Sequence, residues 1–299
     1  MENFFIITIY LLIGIGLNRL TNFPKETANV LNQFVIYISL PALVLLTIPE
    51  LEISFTLLTP IIFCWVVLIF TASIILFLAS FFKWNKKITG CMLLLIPMGN
   101  TSFLGIPMVE AFFGIDAVKY ALLYDQPGTF LALATYGSVI IAVFGNSGVK
   151  VSASEILKRV FTFPPFIALI AAFIFRTVEY SSIFTNILSV LASTLIPLVM
   201  IAVGFQLKIK IHTDELKPLG YGLILKLIII PAAALLITRM FGFNDEVTNV
   251  SIFESAMPPM VSAGALAIMA GLAPNLAAAL VGFGIILSFI TLPVLFYLL

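Results

Sequence analysis

Apolar runs of about 20 residues follow one another along nearly the whole chain, parted by short polar turns. That length is what a helix needs to cross a hydrocarbon layer about 30 Å thick. The pattern predicts ten membrane-spanning helices near residues 3–20, 28–48, 57–81, 88–112, 118–145, 157–178, 183–206, 217–240, 247–272 and 274–298. The connections are brief, among them "PELEIS", "KWNKK", "GID", "GFNDE" and "LAPN", and none could form a soluble domain. The run at 4–17 has no basic residue before it and no small-residue cleavage site, so it reads as a retained first helix rather than a signal peptide.

Two of the runs carry their own interruptions. In "IPMGNTSFLGIP", residues 96–107, two prolines and two glycines bracket Asn100, Thr101 and Ser102. In "ESAMPPMVSAGALA", residues 254–267, Pro258 and Pro259 stand side by side. A proline removes a backbone donor and clashes with the preceding turn. Backbone groups freed in hydrocarbon cost several kcal/mol apiece unless protein or a wet cavity satisfies them. Asn100, Thr101, Ser102 and Ser262 are suited to that task and to capping the half-helices that restart. Each restart presents free N–H groups and a partial positive charge at mid-membrane, which suits an anionic group. Single prolines at Pro41 and Pro197 admit two readings, a simple kink or a second matched feature.

The two halves of the chain echo each other. Pro41 matches Pro197 at an offset of 156 residues, Pro60 matches Pro218 at 158, and Gly114 matches Gly271 at 157. The offsets imply two five-helix halves, 1–145 and 157–299, joined by a linker at 146–156. Five is odd, so the second half enters the membrane from the other side. Inverted repeats of this kind are an architecture of secondary transporters.

Composition agrees with the pattern: 62% of residues are hydrophobic and 10% charged, with a mean hydropathy of +1.19. Of the 15 basic residues, 11 fall on the face that bears the first turn, three on the other, and Lys226 within a span. The bias places the first face in the cytoplasm and both termini outside. The net charge of +1 and the lack of a basic cluster give no sign of a nucleic-acid partner. Cys64 and Cys91 read as small core residues, and His212 as part of a solvated loop.

Ionisable groups inside spans are costly and are functional candidates by default. Asp125 lies mid-span in "LLYDQPGTF", with Gln126 beside it and Thr129 one turn on. Glu254 precedes the tandem prolines by four residues. These carboxylates could carry a proton or bind sodium, and Asn100, Thr101, Thr129 and Glu254 would supply hard oxygen ligands. Lys226 reads as a structural ion pair or a snorkelling side chain, and Glu110 as interfacial. Enzyme chemistry is poorly served. An intramembrane aspartyl protease needs a second mid-span aspartate, but Asp116, Asp214 and Asp245 lie in turns. No HExxH is present, and the lone histidine offers no partner to a membrane serine. A channel or uniporter built from the same half-helices is the main alternative to a carrier.

The stretch "GNTSFLGIPMVEAFFG", the following "YDQPG" and the "ISLPALVL" of the second span resemble the auxin efflux carrier family, which includes plant auxin carriers and bacterial permeases for malate and malonate. The resemblance covers the whole chain. It implies a secondary transporter of small organic anions with two inverted five-helix repeats, spans four and nine crossing at their breaks, and a homodimer in a prokaryotic cytoplasmic membrane. Its substrate-binding residues carry over to Asn100, Thr101, Ser102, Gly105 and Pro107, and to Pro258, Pro259, Ser262 and Gly264, with Pro41 and Pro197 nearby. The second break departs from the family by lacking an asparagine. The fold is also similar to that of bile-acid/sodium symporters, in which a span-nine glutamate binds sodium, a place comparable to Glu254. The residues read from their place in the spans as ion-coupling are Asp125, Gln126, Thr129 and Glu254. No cofactor beyond sodium or a proton is implied.

Overall fold

A computed structural model of the protein describes residues 2–51, 54–145, 152–207 and 215–299. His212, Lys150, Lys208, Lys210 and most of the expected linker (146–151) lie outside the described residues. Among the described residues the secondary structure is helical, with one isolated β-bridge. The helices are α1 (Glu2–Asn18), α2 (Thr27–Thr47), α3 (Phe55–Phe81), α4 (Lys86–Leu95), α5 (Thr101–Phe113), α6 (Ile115–Phe144), α7 (Ala153–Phe161), α8 (Pro164–Ile174), α9 (Ser182–Gln206), α10 (Leu216–Met240), α11 (Glu246–Ser255), α12 (Val261–Met269) and α13 (Pro274–Leu298).

Six of these, α2, α3, α6, α9, α10 and α13, are long and apolar enough to cross a membrane unbroken. The apolar runs at 88–112 and 247–272 are each split into two helices, α4 with α5 and α11 with α12. The run at 157–178 is not one straight helix as expected. Its first part belongs to α7, which bends by 66° into α8. Pro164 and Pro165 explain the turn, since Phe163 before them is held extended and only α8 continues the apolar face. α7 carries Glu155, Lys158 and Arg159 and buries only Val160.

The chain forms two compact units, each drawing segments from both halves of the sequence. The first comprises residues 1–55, 102–122 and 158–207. Here α1 packs along the second half of α9, backbone against backbone. A Cβ added at Gly14 would fall 2.1 Å from the Ile201 carbonyl oxygen, and one at Gly204 would fall 2.1 Å from that of Leu11. Small residues allow this approach, and dispersion rewards it where lipid gives no hydrophobic drive. The hydroxyls of Ser39 and Thr194 meet at 2.7 Å in the same unit.

The second unit comprises residues 56–101, 123–157 and 208–299. Its core joins α3, α4, α6, α10, α12 and α13 through residues such as Leu68, Met92, Ile96, Leu223, Ala263 and Leu280. Many large apolar side chains face outward instead, including Ile62, Val66, Ile69 and Phe77 on α3. Such a surface suits lipid and would be a liability in water.

Proline also shapes turns within α2, α5 and α10. Wide π-helical turns occupy Val35–Ser39, Thr101–Gly105 and Leu225–Ile229. Each ends two residues before a proline: Pro41, Pro107 and Pro231. The missing N–H and the ring clash disturb the preceding turn, which opens so that bonds reach one residue further back. Leu40 N–H thus bonds the Val35 carbonyl, and Ile230 N–H that of Leu225.

Candidate functional site: paired helix breaks and a buried charged centre

Between α4 and α5 the chain is extended through Met98, Gly99 and Asn100, and between α11 and α12 through Pro258 and Pro259. The two stretches lie side by side, antiparallel, bridged at Gly99 and Pro259. Asn100 N–H donates to the Pro258 carbonyl at 2.8 Å, and Met260 N–H to the Met98 carbonyl at 3.0 Å. Backbone that two broken helices would have left bare is thus paired across the breaks. All residues from Cys91 to Thr101 and from Ser251 to Met260 are buried.

The prolines dictate what else must be satisfied. In a helix the carbonyl of residue i accepts from the N–H of residue i+4. Pro97, Pro258 and Pro259 offer none, so the carbonyls of Leu93, Glu254 and Ser255 lose their regular donors. The Tyr136 hydroxyl on α6 donates to Leu93 at 2.9 Å. Met257 N–H takes the Glu254 carbonyl at 3.1 Å. Lys226 Nζ on α10 donates to Ser255 at 3.1 Å.

Beside the paired breaks sits a buried polar cluster. Asp125 Oδ1 accepts from the Thr101 hydroxyl at 2.5 Å, and Oδ2 from the Gln126 amide at 2.6 Å. Thr129 and Cys64 lie 3.6 Å apart. Trp65 Nε1 donates to the Pro127 carbonyl at 3.2 Å, within the wide turn Asp125–Phe130. Glu254 lies within electrostatic reach of Asp125 and Lys226. Both Glu254 carboxylate oxygens, the Asn100 amide nitrogen and the Gln126 amide oxygen are buried without a hydrogen-bond partner. Native structures hold few such atoms, and clusters of them ask for a ligand, a proton or water.

The predicted residues therefore fall into two groups. Asn100, Thr101, Asp125, Gln126, Thr129, Glu254, Pro258 and Pro259 come together in the second unit. Pro41, Ser102, Gly105, Pro107 and Pro197 belong to the first unit. There Pro107 and Pro197 line a cavity of about 230 Å³ with Tyr10 and Glu110. Ser262 does not cap its half-helix. The N-cap of α12 is Met260, without a side-chain cap, and Ser262 lies exposed within the first turn. Gly264 serves packing, since a Cβ there would meet Val281 at 2.8 Å.

The expected sodium ligands differ in what they already hold. The Thr101 hydroxyl is engaged by Asp125 and that of Thr129 faces Cys64, while the open oxygens belong to Glu254 and Gln126. No group of three His, Cys, Asp or Glu residues able to hold a metal ion occurs among the described residues.

A family model described as membrane transport protein matches residues 1–296. The chain belongs to that family. It is the family of the auxin efflux carriers, whose resemblance the span-four and span-five motifs carry. The chain is also similar to an uncharacterized transporter of Methanothermobacter thermautotrophicus, at 28% identity over 96% of this chain and 94% of the relative. An uncharacterized transporter of Methanocaldococcus jannaschii is 28% identical over 86% of this chain and 85% of the relative.

For a membrane transport protein, the residues that sequence reasoning passed over are telling. Cys64 reads as a small core residue and Trp65 and Tyr136 carry no signal of their own, yet each contacts the breaks or the Asp125 turn. One signal was available. Every proline in a spanning helix names a carbonyl four residues earlier that needs a donor from elsewhere.

Proposed function

We propose that the protein is a secondary active transporter that moves a small organic anion, a dicarboxylate or an aromatic acid of auxin type, by alternating access. The reading takes the chain as ten spans in two inverted five-helix repeats, with the first-turn face cytoplasmic and both termini outside. The composition of the compact units supports the repeat. α1 packs on the second half of α9, and α8 packs on α2, contacts that a pseudo-two-fold exchange of the halves would interchange. Ser39 and Thr194, bonded to each other, differ by 155 residues, close to the repeat offset.

The single observation that carries the function is the pairing of two helix breaks beside buried polar atoms with no partner. α12 begins there with uncapped N–H groups, and a helix N-terminus favours an anion. Asn100, Thr101, Pro258 and Pro259 frame the anion in this reading. Asp125 and Glu254 tie its movement to a cation gradient, because a proton or cation taken up at a buried carboxylate changes the charge that the anion meets. Purified protein in detergent, screened by thermal unfolding against dicarboxylates, indole acids and bile-acid-like anions, tests it. A binding anion at 100 times its Kd adds about 2.7 kcal/mol to the folded state. Saturable stabilisation by one class is the expected result, and indifference to every class would count against the reading.

A further inference from the structure

We propose that Lys226 is a resident cation: its ammonium group holds the position at the end of α11 that a free sodium ion would otherwise take, so the protein works without sodium. The proposal rests on the carrier reading above and deepens it by deciding against one coupling ion.

The argument begins with the prolines. Pro97 strips the Leu93 carbonyl of its donor, and Pro259 strips that of Ser255. Both vacancies are filled from a wide turn in a neighbouring helix, by Tyr136 from the turn Leu133–Gly137 and by Lys226 from the turn Leu225–Ile229. The first filler is a neutral phenol. A hydroxyl therefore suffices to satisfy such a carbonyl, and the second site carries a full positive charge beyond what the hydrogen bond needs.

That charge is expensive. Among the described residues Lys226 is the only Lys or Arg that is fully buried, at 2% exposure, and a lysine at the centre of a spanning helix is costly to insert. Its surroundings explain why it stays. It caps the negative end of α11, where a cation is favoured. Glu254 is within electrostatic reach, as is the Cys64 thiol. Asp125 adds a second carboxylate to the centre and is felt by Glu254. A helix-end carbonyl beside a carboxylate is hard-cation chemistry, and here the ammonium already holds the carbonyl. The Thr101 hydroxyl gives its proton to Asp125, and that of Thr129 faces Cys64.

The test compares thermal unfolding of the purified chain in sodium chloride and in choline chloride at equal ionic strength. The wild-type midpoint should not distinguish the two salts. Lys226→Ala should gain a saturable rise of several degrees in sodium, while Lys226→Arg, which keeps the charge, should remain indifferent. A sodium-selective rise in the wild type or in Lys226→Arg overturns the proposal, and so does a folded Lys226→Ala that ignores sodium. If Lys226→Ala is difficult to recover, purification in sodium but not in choline should yield it, and failure in both salts again overturns the proposal. These are ion-binding measurements. A lack of stabilisation by any anion would sink the carrier reading without touching them.

Discussion

The two helix breaks face the same physical problem and solve it with different chemistry. At the first, the open carbonyl borrows a neutral hydroxyl from Tyr136, while the chain's own Thr101 turns to Asp125. At the second, residues 256–260 supply only Ala, Met and Pro, and the help comes from charge: Lys226 on the helix-end carbonyl, with Glu254 close by. The backbone is paired equally well in both, since each donates one N–H to the other. The difference teaches that closing a broken helix does not require ionisable groups. Those that gather here, Asp125, Glu254 and Lys226, call for a role in moving charge or ligand.

Substitutions can sharpen or break that contrast. The largest effect should come from Lys226→Met in sodium-free buffer. Removing one partner from a buried charge cluster costs about 3–5 kcal/mol, and a drop near that size should appear in denaturant or thermal unfolding. Tyr136→Phe should cost less, about 1–3 kcal/mol, because it leaves one buried carbonyl without a donor and no charge exposed. Equal losses for the two variants would erase the distinction between the breaks. Packing gives a finer comparison. A Cβ at Gly284 would meet the Pro259 ring at 2.7 Å, whereas one at Gly99 would find its nearest neighbour, Thr101 Cγ2, at 3.3 Å. Gly284→Ala should therefore cost about 1–3 kcal/mol by overpacking, and Gly99→Ala less. The reverse order would mean that the first break is the more tightly held.

Much of this was legible in the sequence, and the reasons differ by residue. The interruptions at 97–107 and 258–259 announced themselves because proline and glycine act locally, whatever the fold. Asp125, Glu254 and Lys226 stood out because a charge in an apolar run is rare on energetic grounds. What the sequence withheld was partnership. Thr101 reaches Asp125 across 24 residues and Trp65 reaches Pro127 across 62, and no periodicity encodes such distances. Lys226 looked like a charge in need of an ion pair, yet its hydrogen bond runs to a backbone carbonyl that Pro259 had left open. The bend after α7 was missed for a different reason. The apolar run continues through Pro164 and Pro165, so hydropathy alone carries a span straight across the 66° turn.

The most direct test of the central claim is uptake of a labelled anion, chosen by the thermal screen, into proteoliposomes loaded or not with unlabelled anion, for the wild type beside Asp125→Asn. A carrier with its coupling centre at the paired breaks predicts saturable wild-type uptake that is faster into loaded vesicles, and a folded Asp125→Asn that no longer accumulates the anion against a gradient. Flux that neither saturates nor responds to anion inside, or undiminished accumulation by Asp125→Asn, would contradict it.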